Sequence, residues 1–285
     1  MRPLLSATGI GKRFGGVQAL DNATLTVARG HIHGLIGPNG AGKTTLFNVL
    51  TGLYQADAGR IELDGTTISG LEPHRVVASG LSRTFQNIRL FVRMSVLDNV
   101  LVGTHLRGRE GLFGAWLPTL AIRKEKAALR EHALHLLDYV GVGQHAGRLA
   151  GELSYGDQRR VEIARALAAQ PKMLALDEPA AGMNPAETDG LRELLGRIRD
   201  NGTTLLLIEH DVQLVMGLCD RVTVLDFGHC IADGPPAAVR ADPRVIEAYL
   251  GGPSTEPAIP PTGEAATADL DGSMSEAGAS RGGPP

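Results

Sequence analysis

One run of eight residues constrains this chain more than any other: Gly37-Pro38-Asn39-Gly40-Ala41-Gly42-Lys43-Thr44. It fits the pattern G-x-x-x-x-G-K-[ST]. The apolar stretch His31–Ile36 before it reads as a strand, and a helix is predicted from about Lys43 to near Gly52. A loop that grips phosphate needs many converging N–H donors and little bulk. Glycines let backbone N–H groups turn inward, and the helix N-terminus adds the positive end of a dipole. In that setting Lys43 reaches the β- and γ-phosphates of a nucleotide. Thr44 offers a hydroxyl to Mg²⁺, and Thr45 follows it in the same helical turn. A glycine-rich turn can match the pattern by accident, but the strand before it and the helix after it make that the weaker reading.

Two further segments carry chemistry. Met173-Leu174-Ala175-Leu176-Asp177-Glu178 is an apolar strand ending in two carboxylates. Paired acids at a strand end are often only a solvated terminus. Downstream of a phosphate loop, Asp177 is placed to hold Mg²⁺ and Glu178 to polarise an attacking water as general base. Leu153-Ser154-Tyr155-Gly156-Asp157-Gln158 precedes a predicted helix from Arg159 to Ala169, stopped by Pro171. Ser154 with Asp157 three residues on has the form of a capping box. A Ser and a Gly at a helix N-terminus also make an anion site, and the residues alone leave both readings open.

The remaining chain organises around these motifs. Up to about Asp64 it reads as short strands and turns, including Leu25–Val27 and a strand between Gly59 and Gly65. Leu129, Ala133, Leu136 and Val140 then recur at helical spacing among the charges Lys126, Arg130 and Glu131, as on an amphipathic helix. From Met173 onward βα alternation returns, with Thr203–Ile208 and Val222–Leu225 apolar on both faces, as strands of a covered parallel sheet are. The last folded element is a predicted helix over Arg244–Leu250, closed by Gly251-Gly252. The result is an α/β chain with an antiparallel sheet beside a parallel one.

Residues 252–285 are dominated by Pro, Gly, Ala, Ser and Thr, and their acids face the single basic residue Arg281. Such a segment buries too little apolar area to offset its ordering entropy, and it is predicted to be a disordered acidic tail. Lys plus Arg number 28 against 31 Asp plus Glu, a balance that gives no electrostatic reason to expect nucleic acid as a partner. Cys219 and Cys230 have no metal-like spacing and read as ordinary thiols of a reducing compartment. No secretory signal and no apolar run long enough to span a bilayer is visible, so a second chain would have to bring this one to a membrane.

Together these motifs resemble the ATP-binding-cassette ATPase family over Leu4 to Gly251. The resemblance implies a P-loop NTPase fold of ABC-ATPase type over residues 1–251. That fold has a parallel core, an antiparallel β subdomain and a helical subdomain inserted at about 94–158. It implies ATP and Mg²⁺ as ligands. It places Phe14 against adenine with Val17 nearby, and gives Gln86 a contact to Mg²⁺ beside Thr44 and Asp177. Leu153–Gln158 matches the signature sequence, whose Ser154, Gly156 and Asp157 would face ATP held by another subunit. Ala180-Ala181-Gly182-Met183-Asn184 matches the D-loop, and His210 matches the switch histidine at the γ-phosphate; by itself His210 is one of nine histidines. Lys43, Glu178 and His210 are then the catalytic set.

The signature departs from the general family, with Tyr155-Gly156-Asp157 where Gly-Gly-Gln is usual. Tyr at this place resembles the branched-chain amino acid importers. So do Arg83-Thr84-Phe85-Gln86-Asn87-Ile88-Arg89-Leu90-Phe91, the insert with Gly111-Leu112-Phe113, and the end Ile246-Glu247-Ala248-Tyr249-Leu250-Gly251. Met183 replaces a commoner Leu, a volume-conserving change. That likeness implies a head-to-tail dimer with a second cassette subunit, two transmembrane permease chains and an extracytoplasmic solute-binding protein, on the cytoplasmic face of the membrane. Alternatives are a urea or short-chain amide importer, a soluble cassette ATPase of DNA repair or ribosomes, and a cassette that binds ATP without hydrolysing it. The single cassette counts against the second of these, and the presence of Lys43, Asp177, Glu178 and His210 against the third.

Overall fold

The computed structural model describes residues 2–104 and 120–250. Gly111-Leu112-Phe113 and the predicted tail therefore lie outside the described residues. An antiparallel sheet is built from β1 (Leu5–Phe14), β2 (Val17–Val27), β4 (Ala58–Leu63) and β5 (Thr66–Thr67), in the order β2-β1-β4-β5. β1 and β2 are 10 and 11 residues long rather than the short strands expected. Bulges hide their length in the sequence. Gly9 has φ 65°, and the pairing register shifts between Ala7 and Ile10 and again before Lys12, so the alternation of inward and outward residues breaks.

The second sheet runs β10-β9-β3-β8-β7-β6, from β3 (Ile32–Ile36), β6 (Leu81–Arg83), β7 (Met173–Asp177), β8 (Thr204–Ile208), β9 (Arg221–Asp226) and β10 (His229–Gly234). Every neighbouring pair is parallel except β9 with β10. Successive residues of its strands enter two cores. Leu174, Leu176, Leu205 and Leu207 face one cluster with Val161, Leu191 and Leu194. Ala175, Leu206, Ile208 and Leu35 face the other with Phe47, Leu5 and Ile61. Coverage on both faces is why these strands read as unbroken apolar runs.

Helix α1 (Lys43–Leu50) follows β3, and α2 (Pro73–Ser79) leads into β6. Three helices, α3 (Val96–Gly103), α4 (Leu120–Tyr139) and α5 (Tyr155–Ala168), pack on one another. On α4, Ala133 and Leu136 are buried and Lys126, Arg130 and Glu131 exposed, as the periodicity predicts, and Val140 is buried just beyond its last residue. α5 begins at Tyr155, one turn before the predicted start. The Ser154 hydroxyl accepts from the Asp157 N–H at 3.2 Å and so caps the helix early. Beyond β7 come α6 (Pro185–Asp200), α7 (Val212–Leu218), α8 (Pro236–Arg240) and α9 (Pro243–Leu250). The capping box with both bonds present is Asn184 with Glu187 at the start of α6. Among the described residues no helix is long and apolar enough to cross a membrane, and both cysteines are free.

β3 carries one polar residue into the core. His33 is fully buried, with Nε2 2.8 Å from the Thr223 hydroxyl. Burial pushes its pKa down to about 4, and the Asp233 carboxylate opposes this only in part. The folded-state pKa lies below the unfolded value, so the unfolded chain takes up the proton first. This contribution to stability is complete above about pH 6.5 and is lost as pH falls toward 4. Wild type is expected to lose up to about 3 kcal/mol more than His33→Gln across that window, measured by urea unfolding at pH 7, 5.5 and 4.5.

Candidate nucleotide site

The site forms where three neighbouring parallel strands end together. Leu35 of β3 and Asp177 of β7 both pair with Ile208 of β8. The loops leaving these ends therefore start at one level, the usual position for ligands on an open parallel sheet. The β3 end delivers Gly37 to Lys43, the β7 end Asp177 and Glu178, and the β8 end Glu209 and His210.

Close packing makes the loop's glycines necessary. A Cβ on Gly37 would sit 2.0 Å from the Leu225 carbonyl oxygen, and one on Gly42 2.6 Å from that of Ala19. Gly40 and Gly42 have φ of 80° and 100°, conformations that glycine adopts at no steric cost. Pro38 is half-buried, Asn39 and Gly40 are exposed, Ala41 is buried, and Thr44 and Thr45 lie in the first turn of α1, exposed and half-buried. The Lys43 ammonium is buried and donates to the Gly37 and Pro38 carbonyls at 2.7 and 2.9 Å. Burial lowers its pKa, and the Glu178 carboxylate nearby works against that. A cradle too narrow for a methyl group at Gly37, with a cation folded over it, suits a phosphate chain.

At the end of β7, Asp177 is buried and its carboxyl pKa is raised by burial, with Arg83 opposing. Glu178 is half-buried with φ 44°, a strained conformation for glutamate held by its N–H to the Ile208 carbonyl at 2.9 Å. Its Oε2 accepts from Gln86 Nε2 at 2.9 Å and lies 3.8 Å from His210 Nδ1. Residues 86, 178 and 210, far apart in sequence, are thus one cluster. Gln86 and His210 are both exposed. The hydroxyl of Thr44, the amide oxygen of Gln86 and the Asp177 carboxylate are hard oxygen donors, the chemistry that fits Mg²⁺.

Three groups that the sequence reading passed over hold this cluster. Buried Glu209 accepts from the N–H groups of Ala180 and His210 at 3.0 and 3.2 Å and joins the loops after β7 and β8. Its pKa is raised by burial, which those N–H bonds partly offset. Arg83 lies between the Phe47 and Phe85 rings, 4.5 Å from each centroid, with burial lowering its pKa to about 10. Arg159 of α5, fully buried, donates to the carbonyls of Phe85 and Gln86 at 2.6 and 2.7 Å, pairs with Glu162 at 2.7 Å and reaches the Tyr155 hydroxyl at 3.1 Å. Its signal in the sequence is spacing, since it precedes buried Ile163 by four residues and so shares its face.

The other predicted residues stand apart from this cluster. Phe14 and Val17 are exposed at the β1–β2 turn. Phe14 meets Tyr54 edge-on at 5.3 Å, an aromatic neighbour that the sequence reading missed. Ser154, Gly156 and Asp157 form the first turn of α5. Among the described residues none of the three hydrogen-bonds to the phosphate loop or to Glu178. Gly156 is buried against Glu187, and a Cβ on it would lie 2.8 Å from Glu187 Oε1. The Tyr155 ring borders Gly182, and Met183 packs against the core.

Removing Arg159 takes from buried Glu162 its short ion pair, and leaves it only the longer one to Arg165 at 3.9 Å and two N–H contacts at 3.4 Å. Arg159→Met is expected to cost about 3–5 kcal/mol in urea unfolding, and adding Glu162→Leu to recover a substantial part of it.

Comparison with known proteins accords with this geometry. The ABC transporter family model matches residues 20–181, and that of the branched-chain amino acid ATP-binding cassette transporter matches residues 229–254, which cover β10, α8 and α9. The chain is 46% identical over 251 residues to the high-affinity branched-chain amino acid transport ATP-binding protein BraF of Pseudomonas aeruginosa, covering 88% of this chain and 98% of that one. LivG of Escherichia coli, described in the same terms, is 47% identical with the same coverage. Among solved structures, the ADP conformation of MJ1267, an ATP-binding cassette of an ABC transporter, superposes with a TM-score of 0.77 at 35% identity, over 88% of this chain and all of that one. A nucleotide-free cassette from an ABC transporter gives 0.76 at 34% identity, with the same coverage. Fold, strand-end cluster and sequence agree: the chain belongs to the ATP-binding cassette family of ABC transporters.

Proposed function

We propose that this chain is the ATP-hydrolysing subunit of an importer for branched-chain amino acids, with residues 1–251 as the cassette and α3 to α5 as its helical subdomain. The single observation that carries the catalytic reading is the Gln86–Glu178–His210 cluster beside the phosphate loop. The branched-chain assignment rests on relatives of that description, matched over nearly their whole length, and on the family match at residues 229–254. Those likenesses favour it over a urea or short-chain amide importer and over a soluble cassette ATPase.

The chain's own groups account for the chemistry. Backbone N–H groups of residues 39–44 and the Lys43 ammonium hold the β- and γ-phosphates, and Phe14 with Tyr54 offers an aromatic surface for the base. Thr44, Gln86 and Asp177 would hold Mg²⁺, which when bound neutralises charge developing on the phosphates. Glu178, fixed by Gln86, orients water and accepts its proton, and exposed His210 is within reach of the γ-phosphate and of Glu178. Ser154, Gly156 and Asp157 present a helix N-terminus separate from this cluster, which suits completion of the site of a second cassette in a head-to-tail dimer. Exposed Phe91 and Val102 line a cleft with Phe85, immediately before Gln86 in the chain, and Arg89, three residues after it, where a permease helix would dock. Two transmembrane permease chains and an extracytoplasmic solute-binding protein complete the assembly, with this chain on the cytoplasmic face of the membrane.

Glu178→Gln is expected to keep ATP affinity within about twofold and to lower turnover by at least about 100-fold, since only the general base is lost. Leucine uptake by cells carrying it should fall with turnover. Undiminished hydrolysis would remove Glu178 from this role. Wild-type uptake of urea without leucine would overturn the substrate.

A further inference from the structure

Asp177 is buried at the end of β7, and one side chain ties it to the helix that carries Thr44. Arg83 Nη2 lies 3.6 Å from Asp177 Oδ2, while Nη1 donates to Asn48 Oδ1 at 2.9 Å and Thr51 Oγ1 at 2.8 Å. Asn48 is in α1 and Thr51 is its C-cap residue. Nε donates to the Thr84 carbonyl at 3.2 Å, and the guanidinium carbon lies 4.5 Å from the centroid of each of the Phe47 and Phe85 rings. Both ionic side chains are nearly out of solvent, Arg83 at 10% and Asp177 at 6% exposure. Nε and Nη1 are hydrogen-bonded, Nη2 faces the carboxylate as an ion pair and two rings pack on the guanidinium, so its position is tightly constrained.

We propose that Arg83 is a positioning residue for the metal-holding acid, clamped to the phosphate-loop helix so that the Asp177 carboxylate keeps a fixed setting relative to Thr44. The same clamp compensates a carboxylate that would otherwise be buried with no cation beside it. It acts on the metal through Asp177. The inference rests on the metal-holding role of Asp177 proposed above, and the experiment separates the two.

The full chain is purified as wild type, Arg83→Gln, Arg83→Lys and Asp177→Asn. A fluorescent ATP analogue is titrated in EDTA. Mn²⁺ is then titrated at fixed ATP, with bound ion read from loss of the free-ion EPR signal against a nucleotide-only control. Arg83→Gln is expected to leave metal-free affinity within about twofold while raising the Mn²⁺ midpoint about 10-fold or more, the usual effect of removing a group that orients a ligand. Arg83→Lys should fall between, because an ammonium keeps the charge but cannot stack and bond several acceptors in one plane. If Asp177→Asn raises the midpoint and Arg83→Gln does not, the positioning role is overturned and the metal reading stands. If Asp177→Asn leaves the midpoint unchanged, both fall. Should Arg83→Gln lose metal-free binding, the double variant Asn48→Ala/Thr51→Val loosens the clamp with the charge intact. A raised midpoint then supports the role, and an unchanged one overturns it.

Discussion

The parallel register of β7, β8 and β3 underlies everything at the site. Because Asp177 and Leu35 both pair with Ile208, the next residues of three separate segments emerge side by side. A slip of one residue in any strand would exchange the faces its side chains occupy. Yet both faces are apolar, so the alternation of polar and apolar residues cannot by itself set that register. Close contacts set it instead. A Cβ on Gly34 would meet Val215 Cγ1 at 2.8 Å, and the Leu225 carbonyl leaves no room for one on Gly37. Helix α7 and strand β9 thus admit β3 in one position only, and the phosphate loop inherits it.

Around that frame the structure buries charge, which is stable only where each charge is answered. Asp177 is answered by Arg83, Glu162 by Arg159, and Glu209 by the N–H groups of Ala180 and His210. Of the groups assigned to ligands, Thr44, Gln86 and His210 are exposed, while Lys43 and Asp177 are buried. Rigid compensated charge lies behind the site and accessible side chains lie in front of it. Precision comes from the former and access from the latter.

This division also explains what could be read in the sequence. The phosphate loop, the strand ending in Asp177-Glu178 and the apolar strands are local patterns, and each lies within a residue or two of where the residues placed it. His210 has no local mark, and only the family resemblance points to it. The spacing of Arg159 marks it as facing inward, but the roles of Arg83 and Arg159 have no local mark, because the α1 groups that hold Arg83 and the carbonyls that hold Arg159 lie 32 to 35 and 73 to 74 residues away and no short-range pattern encodes such pairings. The length of β1 and β2 was hidden by bulges, which interrupt the alternation on which strand reading depends. The two readings of Ser154 are compatible: its hydroxyl makes the capping bond to Asp157, and the capped turn still presents its other N–H groups.

The departure at Tyr155 gains a physical meaning from these contacts. Where the general family has glycine, this ring borders Gly182, and its hydroxyl meets the guanidinium that also holds the Phe85 and Gln86 carbonyls. The Gln86 backbone cannot shift without breaking those bonds or drawing Arg159 with it, and Arg159 belongs to the helix that Ser154 caps. Breaking them would strand a buried arginine, so moving together costs less. In this chain, therefore, the loop that touches Glu178 and the helix that would face a second cassette's nucleotide are joined by one side chain. A glycine at position 155 would leave that junction with one hydrogen bond fewer and the Gly182 loop without the ring it packs against.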